Sequence, residues 1–329
     1  MATQDQTLLL VGTATGVCQV ACTEHGTAAM VGNVWPLPHA VARLAVCASQ
    51  PQVVYMAAYE GGIWRSHDGG KTWQQMTSYP VEHAHSIAVD SRDPAVVYVG
   101  SEPAAIFRSR DSGMTWQECQ QFRQVPEAKH WHFFAPRQAH VRALTMAADD
   151  PARLYAGLEV GGVVRSTDAG ASWQQLQGPY EDVHSLSVTL ANAQTLYAGT
   201  ARQPWRSDDG GETWRAIGAG LPHQYIVPVA VAPDDPDVVL VACSTGFQRQ
   251  KSQVARSIDG GQNWEVPAWP GPDTDMAVAI AWDKSAPHVV YAGTDNGKLY
   301  RSTDRGSTWQ ALSLSLDSVA VGGLEVMPR

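Results

Sequence analysis

The sequence predicts an all-β fold, a seven-bladed β-propeller of four-stranded antiparallel blades. Three observations carry that expectation. An eight-residue phrase recurs six times, short apolar strands and turn residues fill the intervals, and seven inner strands can be counted along the chain.

The phrase reads Ser66-His67-Asp68-Gly69-Gly70-Lys71-Thr72-Trp73 in its first copy. It returns at Ser109–Trp116, Ser166–Trp173, Ser207–Trp214, Ser257–Trp264 and Ser302–Trp309. Every copy keeps Ser, Asp and Gly, then Thr, Ser or Asn, then Trp. An arginine precedes each one: Arg65, Arg108, Arg165, Arg206, Arg256 and Arg301. The serines advance by 43, 57, 41, 50 and 45 residues, a period that suits propeller blades. The phrase has the chemistry of a turn: Asp accepts backbone N–H groups, and Gly supplies a positive φ. Its Trp carries a large apolar body toward a neighbouring blade.

Each interval holds further strands. An apolar strand comes first, as in Ser86-Ile87-Ala88-Val89, and an Asp-Pro turn follows, as at Asp93-Pro94 or Asp150-Pro151. The second strand reads Val96-Val97-Tyr98-Val99-Gly100 or Leu154-Tyr155-Ala156-Gly157, the third runs into the phrase, and the fourth leaves from its Trp. First strands are expected near Val41–Cys47, Ser86–Val89, Val141–Met146, Ser185–Val188, Val227–Val231, Ala277–Trp282 and Val319–Met327. The last has no successor, whereas Leu8–Thr13 matches the second-strand pattern and Val17–Val20 reads as a third strand. The strands within 7–25 therefore complete the last blade with 318–327, closing the ring and removing exposed sheet edges. One propeller is expected to occupy 1–329.

Composition narrows the function. With 44% hydrophobic and 17% charged residues the chain has ample material for a core. A net charge of −9 and a pI near 5.6 leave no electrostatic footprint for nucleic acid or an anionic membrane. No run approaches the length of a membrane span. Five scattered cysteines, Cys18, Cys22, Cys47, Cys119 and Cys243, argue against a disulfide framework. The opening residues lack a basic stretch followed by an apolar one, so a cytoplasmic location is expected.

The repeated phrase resembles the Asp-box, or BNR, repeat of sialidases, sortilin-type receptors, some endoglucanases and photosystem II assembly factors of the Ycf48 type. The resemblance covers the whole chain. It implies a propeller in which the box is a structural turn far from the active site. It does not transfer one activity. The early Phe/Tyr-Arg-Ile-Pro motif of sialidases is absent, and six of the arginines belong to the boxes. Xyloglucan-cleaving relatives use two tandem propellers with Asp catalysts in the cleft between them. Sortilin-type receptors carry a cystine-rich module, and Ycf48-type factors a thylakoid address.

Chain direction indicates where chemistry belongs. If the boxes join third to fourth strands on one face, the opposite face collects the segments entering the first strands and those joining second to third strands. First strands line the channel, so their leading ends form a funnel. Most histidines lie there: Glu82-His83-Ala84-His85, Lys129–Phe134, His140-Val141-Arg142, Glu181-Asp182-Val183-His184 and His223-Gln224-Tyr225. His85, Arg142 and His184 occupy the same place relative to their strands, with His83, His140 and Asp182 in the layer above. The other loop set adds Glu60, Glu102, Glu159 and Asp295.

Imidazole beside carboxylate suits zinc, iron, manganese or copper. The candidate metal ligands are His83, His85, His140 and His184, in a set of three or four. Glu102 and Glu159 are candidate bases or supporting acceptors, and Arg142 a candidate for orienting an anionic group. The 57-residue spacing marks an insertion, expected as a lid or substrate wall through Trp131, His132 and Phe133. His223, Tyr225 and Glu60 are expected along the same rim. A smaller insertion, Phe247–Ser252, adds positive charge there.

Two functions follow as expectations. One is an enzyme with a histidine-held divalent metal at the channel mouth, acting on a small molecule or glycan by hydrolysis or oxidation. The other is a non-catalytic propeller that binds a protein or glycan on that face. Ordinary solvated or backbone-bonded histidines lining a polar channel would give the same pattern without either.

Overall fold

A computed structural model describes residues 6–23, 25–248 and 250–329. Seven antiparallel sheets follow one another around a central channel, one per blade. Their inner strands are Val41–Val46, His83–Val89, His140–Met146, Val183–Val188, Tyr225–Val231 and Ala277–Trp282 in blades 1 to 6, and Leu324–Val326 in blade 7. Blade 7 is completed by Gln6–Gly12, Gly16–Thr23 and Ala28–Pro36, so strands from both regions of the chain share one sheet. Leu9 opposite Val326 and Val11 opposite Leu324 fix that closure.

Differences from the sequence-based boundaries have local causes. The inner strand expected over Val319–Met327 is confined to Leu324–Val326, because residues 318–321 instead form part of the channel mouth. Inner strands of blades 2 to 4 begin at His83, His140 and Val183, so His83, His85, His140 and His184 lie within the strands rather than in leading loops. Blade 5 keeps three full strands, and its outer one shrinks to a bridge between Arg256 and Glu265. Pro267, two residues on, has no N–H to extend that ladder.

The core lies between blades rather than at the centre. Tyr55, Met76, Ile87 and Phe107 join blades 1 and 2, and Tyr98, Phe122, Val141 and Leu158 join blades 2 and 3. Leu10, Val41, Trp73 and Met327 join blade 7 to blade 1. Second-strand glycines permit this approach: a Cβ on Gly157 would stand 2.5 Å from Val183 Cγ1 of the next blade. All five cysteines are buried and free.

The box turns are closed by short-range hydrogen bonds. Asp111 Oδ1 accepts from the Ser109 hydroxyl at 2.8 Å and from Thr115 N–H at 2.8 Å, while Oδ2 accepts from the Thr115 hydroxyl at 2.6 Å. Gly113 turns the chain with φ 85°. The arginine before the box then reaches the next blade: Arg108 donates to Ala169 O at 2.8 Å, which Tyr98 also reaches at 3.0 Å. Arg165 and Tyr155 repeat the pattern on Gly210 O. The boxes are thus latches between neighbouring blades as well as turns.

Candidate functional site at the channel mouth

The site grows out of an irregularity shared by six inner strands. In each, the register with the second strand skips at the same place, leaving Ala42, His85, Arg142, His184, Val227-Pro228 or Val278 unpaired. Such bulges re-aim a side chain without dismantling the strand. Blades 2, 3 and 4 place His85, Arg142 and His184 there. Two residues earlier stand His83 and His140, opposite Glu102 and Glu159 in the ladder, and then Asp182 in blade 4.

Glu102 organises the first cluster. His85 Nε2 lies 3.0 Å and His140 Nδ1 3.7 Å from Glu102 Oε2. Arg137 donates to the same oxygen from Nη2 at 3.0 Å, and Gln138 N–H donates to Oε1 at 2.8 Å. The His85 and His140 rings stack with centroids 4.3 Å apart, and Tyr59 meets His85 edge-on at 5.0 Å. Glu159 organises the second cluster. Arg142 Nη1 covers both its oxygens, 2.6 Å from Oε1, while His184 Nε2 stands 3.9 Å from Oε1 and His140 Nε2 3.9 Å from Oε2. His140 therefore stands between the two carboxylates.

Backbone carbonyls orient two of the rings. Gln138 O lies 3.0 Å from His140 Nδ1, and Ile226 O lies 2.5 Å from His184 Nδ1. A carbonyl oxygen only accepts, so each Nδ1 carries a proton and the neutral ring keeps its lone pair on Nε2, which in His140 faces Arg137 Nη2 at 3.4 Å. This outer arrangement commonly orients imidazole ligands. His85 Nε2 is buried and makes no aligned hydrogen bond, although it is 3.0 Å from the Glu102 carboxylate.

Charge follows from burial and partners. Burial pushes His85 down to about 2, with His140 and Arg137 adding to the effect; this outweighs the Glu102 contact and keeps the ring neutral. Burial also lowers His140, against the Gln138 carbonyl and Glu159. For Glu102, burial acts upward but is overcome by the Gln138 N–H and Arg137, leaving the carboxyl below its ordinary value. Burial likewise opposes ionisation of Glu159, and Arg142 with the neighbouring histidines overcomes it. Asp182 goes the other way, raised by burial and then by the Glu159 charge. Two side-chain sets have donor atoms close enough to share a cation: His85, Glu102 and His140, and Glu159, Asp182 and His184.

The remaining candidates divide. Tyr225 joins the site, its ring 4.8 Å from that of His184, and Phe133 packs edge-on to His140 at 5.4 Å. His83 stands beside Tyr59 at 5.7 Å, outside both sets. Trp131 packs on Phe122 and donates to Gln175 Oε1 at 3.3 Å, so it covers blade 3 rather than the channel. His132 is exposed, with Nδ1 3.0 Å from His130 O. No contact joins the half-buried His223 side chain to either cluster among the described residues. Glu60 falls one position beyond the place of Glu102 and Glu159: counting four residues from Tyr55, Tyr98 and Tyr155 reaches Tyr59, Glu102 and Glu159. It is half exposed, 3.7 Å from His39. That count could have identified Tyr59 as the site residue of blade 1. Arg249 of the smaller insertion lies outside the described residues.

Comparisons place this geometry among known folds. The BNR-Asp box repeat is matched at residues 63–76 and the BNR/Asp-box repeat at residues 205–216. A xyloglucanase from Paenibacillus sp is 28% identical over 205 residues, covering 48% of this chain and 20% of that protein. One from Hypocrea jecorina is 25% identical over 260 residues, covering 73% of this chain and 26% of its own. The chain thus spans about a fifth to a quarter of the length of these relatives. A GH74 xyloglucanase structure from Xanthomonas campestris superposes with TM-score 0.70 at 19% identity, over 91% of this chain and 54% of that one. A structure of YCF48 bound to D1 peptide gives TM-score 0.62 at 16% identity, over 84% and 82%. The chain is a seven-bladed β-propeller built on BNR/Asp-box repeats. Its similarity runs both to xyloglucanases and to YCF48. No helix among the described residues is long and apolar enough to cross a membrane.

Proposed function

We propose that the channel mouth of blades 2 to 4 is a divalent transition-metal centre serving hydrolysis of a small or glycan-like substrate. The observation that carries the reading is the buried, unsatisfied His85 Nε2 held 3.0 Å from a carboxylate oxygen, beside His140. With its proton on Nδ1, His85 would face the carboxylate with a lone pair, and a cation beside the two atoms would satisfy both. His85, His140 and His184 would supply nitrogen ligands, with Glu102 and Glu159 as ligands or as orienting acceptors. A bound ion would polarise a substrate oxygen or acidify a bound water. Arg137 and Arg142 hold the two carboxylates ionised, and Phe133 shields His140 from solvent. The distant xyloglucanase similarity supports a hydrolytic reading and a glycan-like substrate.

Elemental analysis of the purified protein, repeated on His140→Ala and His184→Ala, tests the centre. Stoichiometric metal in the parent and its loss in both variants is expected. Substoichiometric metal in the parent, or unchanged occupancy in the variants, would overturn it.

A second reading, peptide or glycan binding without catalysis, is favoured by the aromatic side chains left outside the core. Phe134 is 78% and Phe247 79% exposed, both on segments that join strands on the channel-mouth side. The similarity to YCF48 bound to D1 peptide supports it. That reading predicts a metal-free protein with a saturable ligand.

A further inference from the structure

A cavity of about 420 Å³ opens beside the first cluster, within the size range of small-molecule sites. Its walls differ in kind. Val41 and Ala42 of blade 1, with Val319, Ala320 and Val321 of the segment entering blade 7, make an apolar side. Arg43, Arg137 and Arg142, with His85 and His140, make the other. No carboxylate lines it among the described residues, because Glu102 and Glu159 engage Arg137 and Arg142 from outside the cavity wall.

Those two pairings account for two of the three guanidinium groups. Arg43 makes no ion pair among the described residues; its Nη2 donates to Arg142 O at 3.4 Å. Arg43 packs over Gly322 and also faces the central channel, where Glu325 acts on it from beyond ion-pair distance. Arg43 is half-buried, and a cationic group partly withdrawn from water with no anion in contact favours a bound anion. Arginine matches planar carboxylates through parallel N–H donors. One unpaired guanidinium corresponds to one negative charge, which suits a carboxylate better than a phosphate dianion. The apolar side would cover a hydrocarbon body and gives a fully hydrated inorganic ion nothing.

We infer that this cavity binds a small organic carboxylate, its anionic end on Arg43 with Arg137 and Arg142 beside it and its apolar body against Val41, Val319 and Ala320. The inference rests on the reading of the channel mouth as a ligand site and names its ligand class; it does not need the metal.

The test uses 4-methylbenzoate, its neutral analogue 4-methylbenzamide and inorganic phosphate, titrated calorimetrically into protein before and after EDTA treatment. The carboxylate should bind at least ~10-fold more tightly than the amide, as expected for hydrogen bonds to a charged group. Phosphate should bind more weakly than the carboxylate. Arg43→Met should bring the carboxylate to the level of the amide and leave the amide unchanged. If Arg43→Met does not fold, Ser318→Asp serves instead: it puts a negative charge in the lining and retains an oxygen to accept from Ala14 N–H. It should weaken the carboxylate alone. Equal binding of carboxylate and amide, no carboxylate binding, preferred phosphate binding, or indifference of the carboxylate to both substitutions overturns the inference. A preference that disappears with EDTA also overturns it, assigning the anion to the metal. A preference that survives in metal-free protein upholds it even if the metal reading fails.

Discussion

Arg142 holds both carboxylate oxygens of Glu159 from the one residue of its inner strand that the ladder skips. Glu159 is buried and Arg142 partly so, with Glu159 also facing His140 and His184. Removing one member strands the other, and a buried carboxylate left without its partner costs about 3 kcal/mol or more. Arg142→Met is therefore expected to lower stability to urea by roughly that amount. Adding Glu159→Gln should recover part of the loss, giving a favourable coupling in the double-mutant cycle.

Gly157→Ala tests the approach of neighbouring blades. The new Cβ would meet Val183 Cγ1 at 2.5 Å, so blade 3 or blade 4 must yield. The expected cost is about 1–3 kcal/mol by overpacking. Val183→Ala in the same chain should reduce that cost, as thermal unfolding of the double variant will report.

Arg108→Met tests the latch from blade 2 to blade 3. It removes one of two donors from Ala169 O and leaves the Tyr98 hydroxyl in place. A loss of about 1 kcal/mol is expected. Hydrogen exchange should accelerate at the blade 2–3 seam before it does elsewhere.

The boxes set an acid limit. Asp111 is held down to about 2 by the Thr115 hydroxyl, the Thr115 N–H and the Ser109 hydroxyl. Its folded value is below the ordinary unfolded one of about 3.9, so its contribution is present above that value and is lost as pH falls toward 2. The melting temperature should drop between about pH 4 and pH 2. Asp111→Asn should melt lower at neutral pH and show a shallower fall across that window. Because the carboxylate is solvent-exposed, one box contributes modestly; Asp68 and Asp259, also held near 2, act in the same direction.

The fold was legible because each box closes its own turn: Ser109, Asp111, Gly113 and Thr115 satisfy one another within seven residues. A single stretch of sequence therefore records the whole motif. The alignment of His85, Arg142 and His184 was readable for a related reason, since their spacing from the strand is constant from blade to blade. Arg137 on Glu102 was not, because 35 residues separate them and a loop must fold back over the channel to join them. Glu60 misled because an acidic residue beside the expected position looks like one at it. Arg43 carried no motif at all; its role comes from the carboxylates that engage Arg137 and Arg142 and leave it alone.

The skipped position in each inner strand separates chemistry from architecture. Its residue contributes nothing to the ladder, and the six blades that have one already tolerate Ala42, His85, Arg142, His184, Val227-Pro228 and Val278 there. The ring thus works as a socket board, with polar plugs in three neighbouring sockets and small or apolar ones elsewhere. New functional groups could be moved around the channel by single substitutions while the scaffold stays the same.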